Sequence, residues 1–299
     1  MRWQDRRRSD NVEDRRGSSP SYAAAGAAPL LLRFLPGLLR SKTGRFLLIG
    51  GLLAIFGGRM LGIDVLGLFL GGAQPTTQQA SFSPEEEQLA QFVSVVLAET
   101  EDTWNEVFAA NGQRYSEPTL VLFSGRVNSA CGMASSAVGP FYCPGDQNLY
   151  IDLSFFHDLA TRHGAPGDFA QAYVVAHEVG HHVQTLLGIS QQVRQAGSGR
   201  SKEEVNALSV RQELQADCFA GIWGYHANRK EQILDPGDLE EALRAATAIG
   251  DDRLQREAGQ RVVPDSFTHG SSKQRVRWFK TGFEGGSVAA CDTFSAKTI

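Results

Sequence analysis

The chain has 299 residues but only four cysteines, and none of them stands in a C-x-x-C pair. That spacing excludes a cysteine-built zinc ribbon. Positive charge is not in excess either: 29 Lys+Arg face 33 Asp+Glu, a net charge of -4. A strongly basic nucleic-acid binder is excluded, and no nucleic-acid partner is expected. There is no internal repeat. The strands and helices do not alternate as they do in a dinucleotide-binding βαβ sheet. Apolar residues are not scarce, at 42% with four Trp, so wholesale disorder is excluded as well.

The net charge conceals a division. Residues 1–45 carry ten basic residues and four acidic ones, a balance of +6, which leaves -10 for residues 46–299. Residues 1–45 show no sustained helical or strand period, so a basic, disordered tail is expected there. Residues 46–70 (FLLIGGLLAIFGGRMLGIDVLGLFL) form an apolar run with two charges, Arg59 and Asp64. About 20 mostly apolar residues suffice for a transmembrane helix, although each charge costs about 3 kcal/mol at mid-bilayer. A buried hairpin of the folded domain is the alternative. Arg33, Arg40, Lys42 and Arg45 precede the run, and the next basic residue beyond Arg59 is Arg114. The positive-inside rule then predicts a single-pass anchor with a cytoplasmic N-terminus and the bulk of the chain exported. Residues 71–80 read as a linker, and 81–299 as one enzyme-sized domain.

Within that domain Ser83-Pro84-Glu85-Glu86 opens a helix with a capping box, and apolar residues at helical spacing carry it to Gly112. Pro118–Phe123 and Asn148–Leu153 read as strands. Helices follow over Asp168–Leu187, stopped by Gly188, from Ser201 to about Asn228, from Asp235-Pro236 to near Gly250, and over Ser271–Phe283. The class is α+β, mostly helical with a small sheet.

His177-Glu178-Val179-Gly180-His181 matches H-E-x-x-H inside one of these helices. Residues i and i+4 share a helical face, so both imidazoles can reach one zinc ion, with Glu178 near a zinc-bound water. Gly180 costs about 1 kcal/mol relative to Ala in a helix and suggests close approach of another segment. A catalytic site needs a third protein ligand. Glu213 and Asp217, one turn apart on the next long helix, are the candidates. Glu213 can ligate, while Asp217 can accept a hydrogen bond from the outer nitrogen of a zinc-bound His. Their apolar flanks argue against a merely solvated acidic pair. His182 lies about 100° around the helix from His181, so a neighbour contact or an exposed position is expected for it.

The HEVGHH helix followed by E-x-x-x-D resembles the gluzincin metallopeptidases. The wider set, MRWQDRRRSDNVEDRRG, CGMASSAVGPFYCPGDQNLYIDLSFF, HEVGHHVQTLLGI, ELQADCFAGIW and SFTHGSSKQRVRWFKTGFEGG, resembles the bacterial neutral zinc metallopeptidase family. The resemblance implies a zincin-like, membrane-anchored peptidase of the bacterial inner membrane, with its catalytic domain periplasmic or extracellular. It implies one Zn²⁺ per chain held by His177, His181 and Glu213, with Glu178 as general base, acting on a peptide or protein substrate. His269 resembles a Thr-His segment with a downstream Arg in membrane-bound gluzincins, which implies a group that stabilises the transition state; a helix-capping or surface His is the alternative. Tyr225 and His226 are weaker candidates for the same task. The strand Asn148–Asp152 resembles the edge strand on which related peptidases lay an extended substrate; an ordinary sheet strand is the equally consistent alternative. A zinc-stabilised binding or regulatory module without turnover is the rival, against which Glu178 speaks. The four cysteines allow three pairings. Cys131–Cys143 closes a short loop, and Cys218–Cys291 then ties the ligand helix to the C-terminus; four free thiols are the alternative.

Overall fold

The computed structural model describes residues 1–17 and 82–299. The expected anchor at 46–70, the linker at 71–80 and residues 18–45 of the expected tail lie outside the described residues. In chain order the elements are β1 (Val12–Asp14), α1 (Pro84–Ala110), β2 (Thr119–Phe123), β3 (Arg126–Ser129), β4 (Gly132–Ser135), β5 (Phe141–Cys143), β6 (Asn148–Asp152), α2 (Ser154–Thr161), α3 (Asp168–Leu186), α4 (Ile189–Gly197), α5 (Lys202–Glu231), α6 (Asp238–Ala248), α7 (Asp251–Glu257) and α8 (Ser272–Gly285). Mostly helical with a small sheet, this is the expected α+β class. Among the described residues no helix is long and apolar enough to cross a membrane.

The helix starts follow from local chemistry. Ser83 Oγ accepts the Glu86 amide at 3.2 Å, and the Glu86 carboxylate accepts the Ser83 amide in return. The same reciprocal cap opens α5 at Ser201/Glu204 and α8 at Ser271/Gln274. Gly188 ends the approach to α4 in the left-handed region, with φ 75°.

The sheet has the order β1-β2-β6-β5, with β1, β2 and β6 parallel and β5 antiparallel. Leu120, Leu122, Leu149 and Ile151 point to the main core; Val121, Phe123 and Tyr150 point to a smaller cluster with Val127 and Cys143. Both faces of β2 and β6 are therefore buried, which is why they read as continuous apolar runs. The central helix α3 packs against α5, α6, α1 and the β5–β6 side of the sheet, and α5 packs along α8.

Two observations overturn expectations. Residues 1–17 are not a disordered tail. Strand β1 pairs with β2, with Val12 opposite Leu120 and Asp14 opposite Leu122, and Arg6 and Arg7 bond Glu99 and Glu101 on α1. The composition read as solvated because those arginines find their partners on another element. Nor is Asn148–Asp152 an edge strand. It lies between β2 and β5, with both of its edges hydrogen-bonded, so the edge on this side of the sheet is β5.

Both expected disulfides are present. Cys131–Cys143 ties the β3–β4 turn to β5, and Cys218–Cys291 ties α5 to the C-terminal segment.

Candidate metal centre

Helix α3 delivers the first two candidate ligands. His177 and His181 stand one turn apart, with ring centroids 4.8 Å from each other. Glu213 reaches them from α5: its Oε2 lies 3.2 Å from His177 Nε2 and 3.5 Å from His181 Nε2. One donor atom from each of the three lies within 4.8 Å of the others. This proximity depends on how closely the two helices approach. A Cβ at Gly180 would lie 2.9 Å from the Ala216 carbonyl oxygen and 3.1 Å from its Cα. Any larger residue there would push α5, and with it Glu213, away from α3.

Each imidazole is fixed through its outer nitrogen. His177 Nδ1 donates to Asp217 Oδ1 at 2.9 Å. His181 Nδ1 donates to Gln184 Oε1 at 3.0 Å, while the Gln184 amide donates to the Gln212 carbonyl at 2.7 Å. Both arrangements turn Nε2 towards Glu213, which makes it the ring nitrogen available to a metal. Two imidazole nitrogens and a carboxylate oxygen, each backed by an outer partner, suit a zinc ion.

Asp217 is itself held. Arg275 donates Nε to Oδ2 and Nη2 to Oδ1, both at 2.9 Å, and Tyr173 Oη donates to Oδ1 at 2.5 Å. Arg275 also donates Nη1 to the Ile249 carbonyl at 3.3 Å. Asp217 and Arg275 are 0% and 2% exposed, so the pair is bidentate and dry. Burial alone would raise the Asp217 pKa, but Arg275 and His177 bring it down to about 2. For Glu213 burial is likewise the largest influence and is overcome by His181 and His177, which hold the carboxyl well below its usual range. Burial lowers His177, yet Asp217 and Glu213 push it up to about 10. Two ionised carboxylates thus favour positive charge where the two Nε2 atoms converge, as a cation site requires.

A family model described as "Putative neutral zinc metallopeptidase" matches residues 1–294. The chain belongs to this neutral zinc metallopeptidase family. It is 54% identical to "Uncharacterized protein YpfJ" of Escherichia coli (strain K12), covering 98% of this chain and 99% of that protein. It is 47% identical to "Uncharacterized protein Rv2575" of Mycobacterium tuberculosis, covering 62% of this chain and 65% of that one. No solved structure matches.

In this member of the neutral zinc metallopeptidase family, Glu178 faces the same cleft as the three candidate ligands, a cavity of about 480 Å³. Burial raises its pKa, against a lowering by His181 and His177. One wall is apolar, with Phe155, Val174, Ile249 and Leu254, and the segment Val138–Tyr142 forms another. His269 lines the cleft too. Its Nδ1 lies 3.3 Å from Asp251 Oδ1, whose other oxygen accepts the amides of Thr268, His269 and Gly270 at 2.7, 2.6 and 3.0 Å. The hydrogen bond to Asp251 raises the His269 pKa, opposed by burial.

Other expected residues lie elsewhere. His182 is fully buried between Tyr142 Oη and the Ser116 carbonyl oxygen. His226 Nε2 donates to the Gly286 carbonyl at 2.9 Å, and Tyr225 packs on the same glycine; neither lines the cleft. A second acidic group, Asp168 with Asp238 and Glu241, includes two carboxylates that bond the Met1 ammonium at 3.0 and 3.1 Å. Sequence reasoning passed over Tyr173, Gln184 and Asp251. Arg275 had one available signal, the arginine downstream of Thr268-His269. The structure selects it over Arg277, which lies over the Trp278 ring.

Proposed function

We propose that the chain is a zinc-dependent endopeptidase. One observation carries the reading: His177, His181 and Glu213 converge their donor atoms in the cleft that also receives the Glu178 carboxylate. When bound, zinc lowers the pKa of a coordinated water towards about 7 and polarises a carbonyl. His177, His181 and Glu213 would hold it. Glu178 takes a proton from the attacking water and returns it to the leaving amine. Its raised pKa suits both halves of that task. Cationic His269, oriented by Asp251, donates to the developing oxyanion. An extended peptide pairs with β5, whose outer edge has no strand partner among the described residues, and places a side chain against the apolar wall.

A peptide-library digest with the full chain tests this, alongside Glu178→Gln and a zinc assay. Wild type is expected to cleave, and Glu178→Gln to lose about 10²–10⁴-fold in rate while retaining one zinc. Zinc bound by both proteins with cleavage by neither would instead support a zinc-stabilised binding module.

A further inference from the structure

We propose that Arg194 determines which peptides the cleft accepts: it pairs with a carboxylate that the substrate carries within about five residues of the cleaved bond. The inference rests on the peptidase reading and deepens it, by naming the chemistry of the chain that enters.

The cleft changes character along α3. Val174, His177, Glu178, His181 and Thr185 all line it, and their spacing places them on one face of the helix. Thr185 lies eleven residues beyond Val174, about 16 Å of helix. The candidate ligands stand in the middle of that length. Val174 belongs to the apolar wall. The other end is polar and is completed by α4, on which Ser190 and Arg194 line the cleft one turn apart.

A relay of hydrogen bonds holds α4 to the metal helix. Gln212 Nε2 donates to Ser190 Oγ at 3.3 Å, and Thr185 Oγ1 donates to the His181 carbonyl at 3.2 Å. Thr185 thus spends its proton on His181, so Ser190 is the donor in the 3.3 Å bond between the two hydroxyls. These groups are satisfied. Arg194 is not: it is exposed, and among the described residues its side chain makes no hydrogen bond or ion pair. It is also the only charge on α4, so no carboxylate of that helix neutralises it. The other basic groups of the cleft are committed. Arg275 is bonded to Asp217, His269 to Asp251, and His177 and His181 face Glu213.

A guanidinium meets a carboxylate with two parallel charge-assisted hydrogen bonds. Its reach follows from the helices. His181 to Thr185 and Ser190 to Arg194 are each about 6 Å of helix, joined by the 3.3 Å between the hydroxyls. An extended peptide advances about 3.3 Å per residue, so Arg194 acts within about five residues of the metal. The carboxylate is an Asp or Glu side chain or the free C-terminus of the peptide, which offer the same chemistry.

Full-length Glu178→Gln, loaded with zinc and immobilised, tests this on peptides that it binds without cutting. Matched decapeptide pools are randomised without Asp or Glu. One position is fixed as Glu or as Gln, and each pool has a free or an amidated C-terminus. Retained peptides are read by mass spectrometry. A pool with a carboxylate is expected to be retained about 5–10-fold more than its neutral match, an excess that falls at high salt. Adding Arg194→Gln should abolish the excess, and Arg194→Lys should keep part of it. Arg200→Gln should keep it, since Arg200 pairs with Glu204 and does not line the cleft. An excess in the Glu pools assigns the carboxylate to a side chain, and one in the free-terminus pools to the peptide's end. Equal retention of charged and neutral pools, or an excess that survives Arg194→Gln, would overturn the proposal and leave Arg194 as a cation suited to the last turn of α4. Retention needs no cleavage. A chain that shows the preference but whose wild type cuts no peptide would sink the peptidase reading alone, and cleavage without the preference would sink this inference alone.

Discussion

At the scale of single residues, the candidate centre is a chain of buried polar groups in which each member fixes the next. Arg275 holds Asp217, Asp217 holds the outer nitrogen of His177, and the inner nitrogen of His177 is left for a metal. The H-E-x-x-H spacing was legible because its reach is one helical turn. Asp217 was legible because it repeats that spacing on α5. Gln184 was not, since a glutamine three residues past His181 resembles any surface residue until the Gln212 carbonyl is found beside it. His269 supports a pH prediction. Asp251 raises its pKa, so the imidazolium persists above the ordinary value of about 6.5. Its contribution to stability is complete below about 6.5 and is lost as pH rises through the folded value. In the proposed mechanism its contribution to rate follows the same proton. Wild-type kcat/KM is expected to fall on the alkaline side of about 6.5. His269→Gln should have a rate about 10²–10³-fold lower, and its profile should lack that descending limb. A pH–rate series on both proteins checks this, and an unchanged limb in the variant would assign the limb to another group.

Elements differ in how much of them is written locally. The long helices announced their starts through reciprocal caps at Ser83/Glu86 and Ser201/Glu204, and the observed ends fall within a few residues of the expected ones. The strands β1, β3, β4 and β5 and the short helices α2, α4 and α7 went unread, because three to nine residues carry too little periodicity to stand out. The contact between α5 and α8 shows how element packing constrains single positions. A Cβ at Gly282 would run into the Cys218 carbonyl, and one at Gly221 into the Phe279 carbonyl. Both obstacles are backbone, which cannot rotate away. Gly282→Val is therefore expected to destabilise the protein by about 1–3 kcal/mol or more through overpacking. A urea titration of wild type and variant measures it, and equal midpoints would mean that the helices can separate freely. Since α8 also carries Arg275, the same variant should weaken the support of Asp217.

The whole molecule is assembled from parts far apart in sequence. The segment carrying β1 belongs to the folded unit that holds the candidate metal centre, so a chain lacking residues 2–17 loses the partners of two buried carboxylates. Breaking a buried ion pair costs about 3–5 kcal/mol, and the truncated chain is expected to unfold at a lower temperature than the full chain under the same solution conditions. Equal transitions, followed by circular dichroism, would show that β1 adds nothing to stability. The charge division of +6 and -10 takes on a different meaning here: much of the positive end neutralises acidic groups of the negative one. The sequence by itself determined the metal motif and the long helices with their caps, and it favoured the short-loop disulfide Cys131–Cys143. Each of these rests on groups within a turn or a short loop of one another, where spacing alone sets geometry. Only the tertiary structure decided which strand forms the cleft edge, which arginine supports Asp217, and where the N-terminal segment joins the sheet. Val12 meets Leu120 and Asp217 meets Arg275 across long stretches of chain. Such pairings are set by how the hydrophobic faces pack, which no local pattern records.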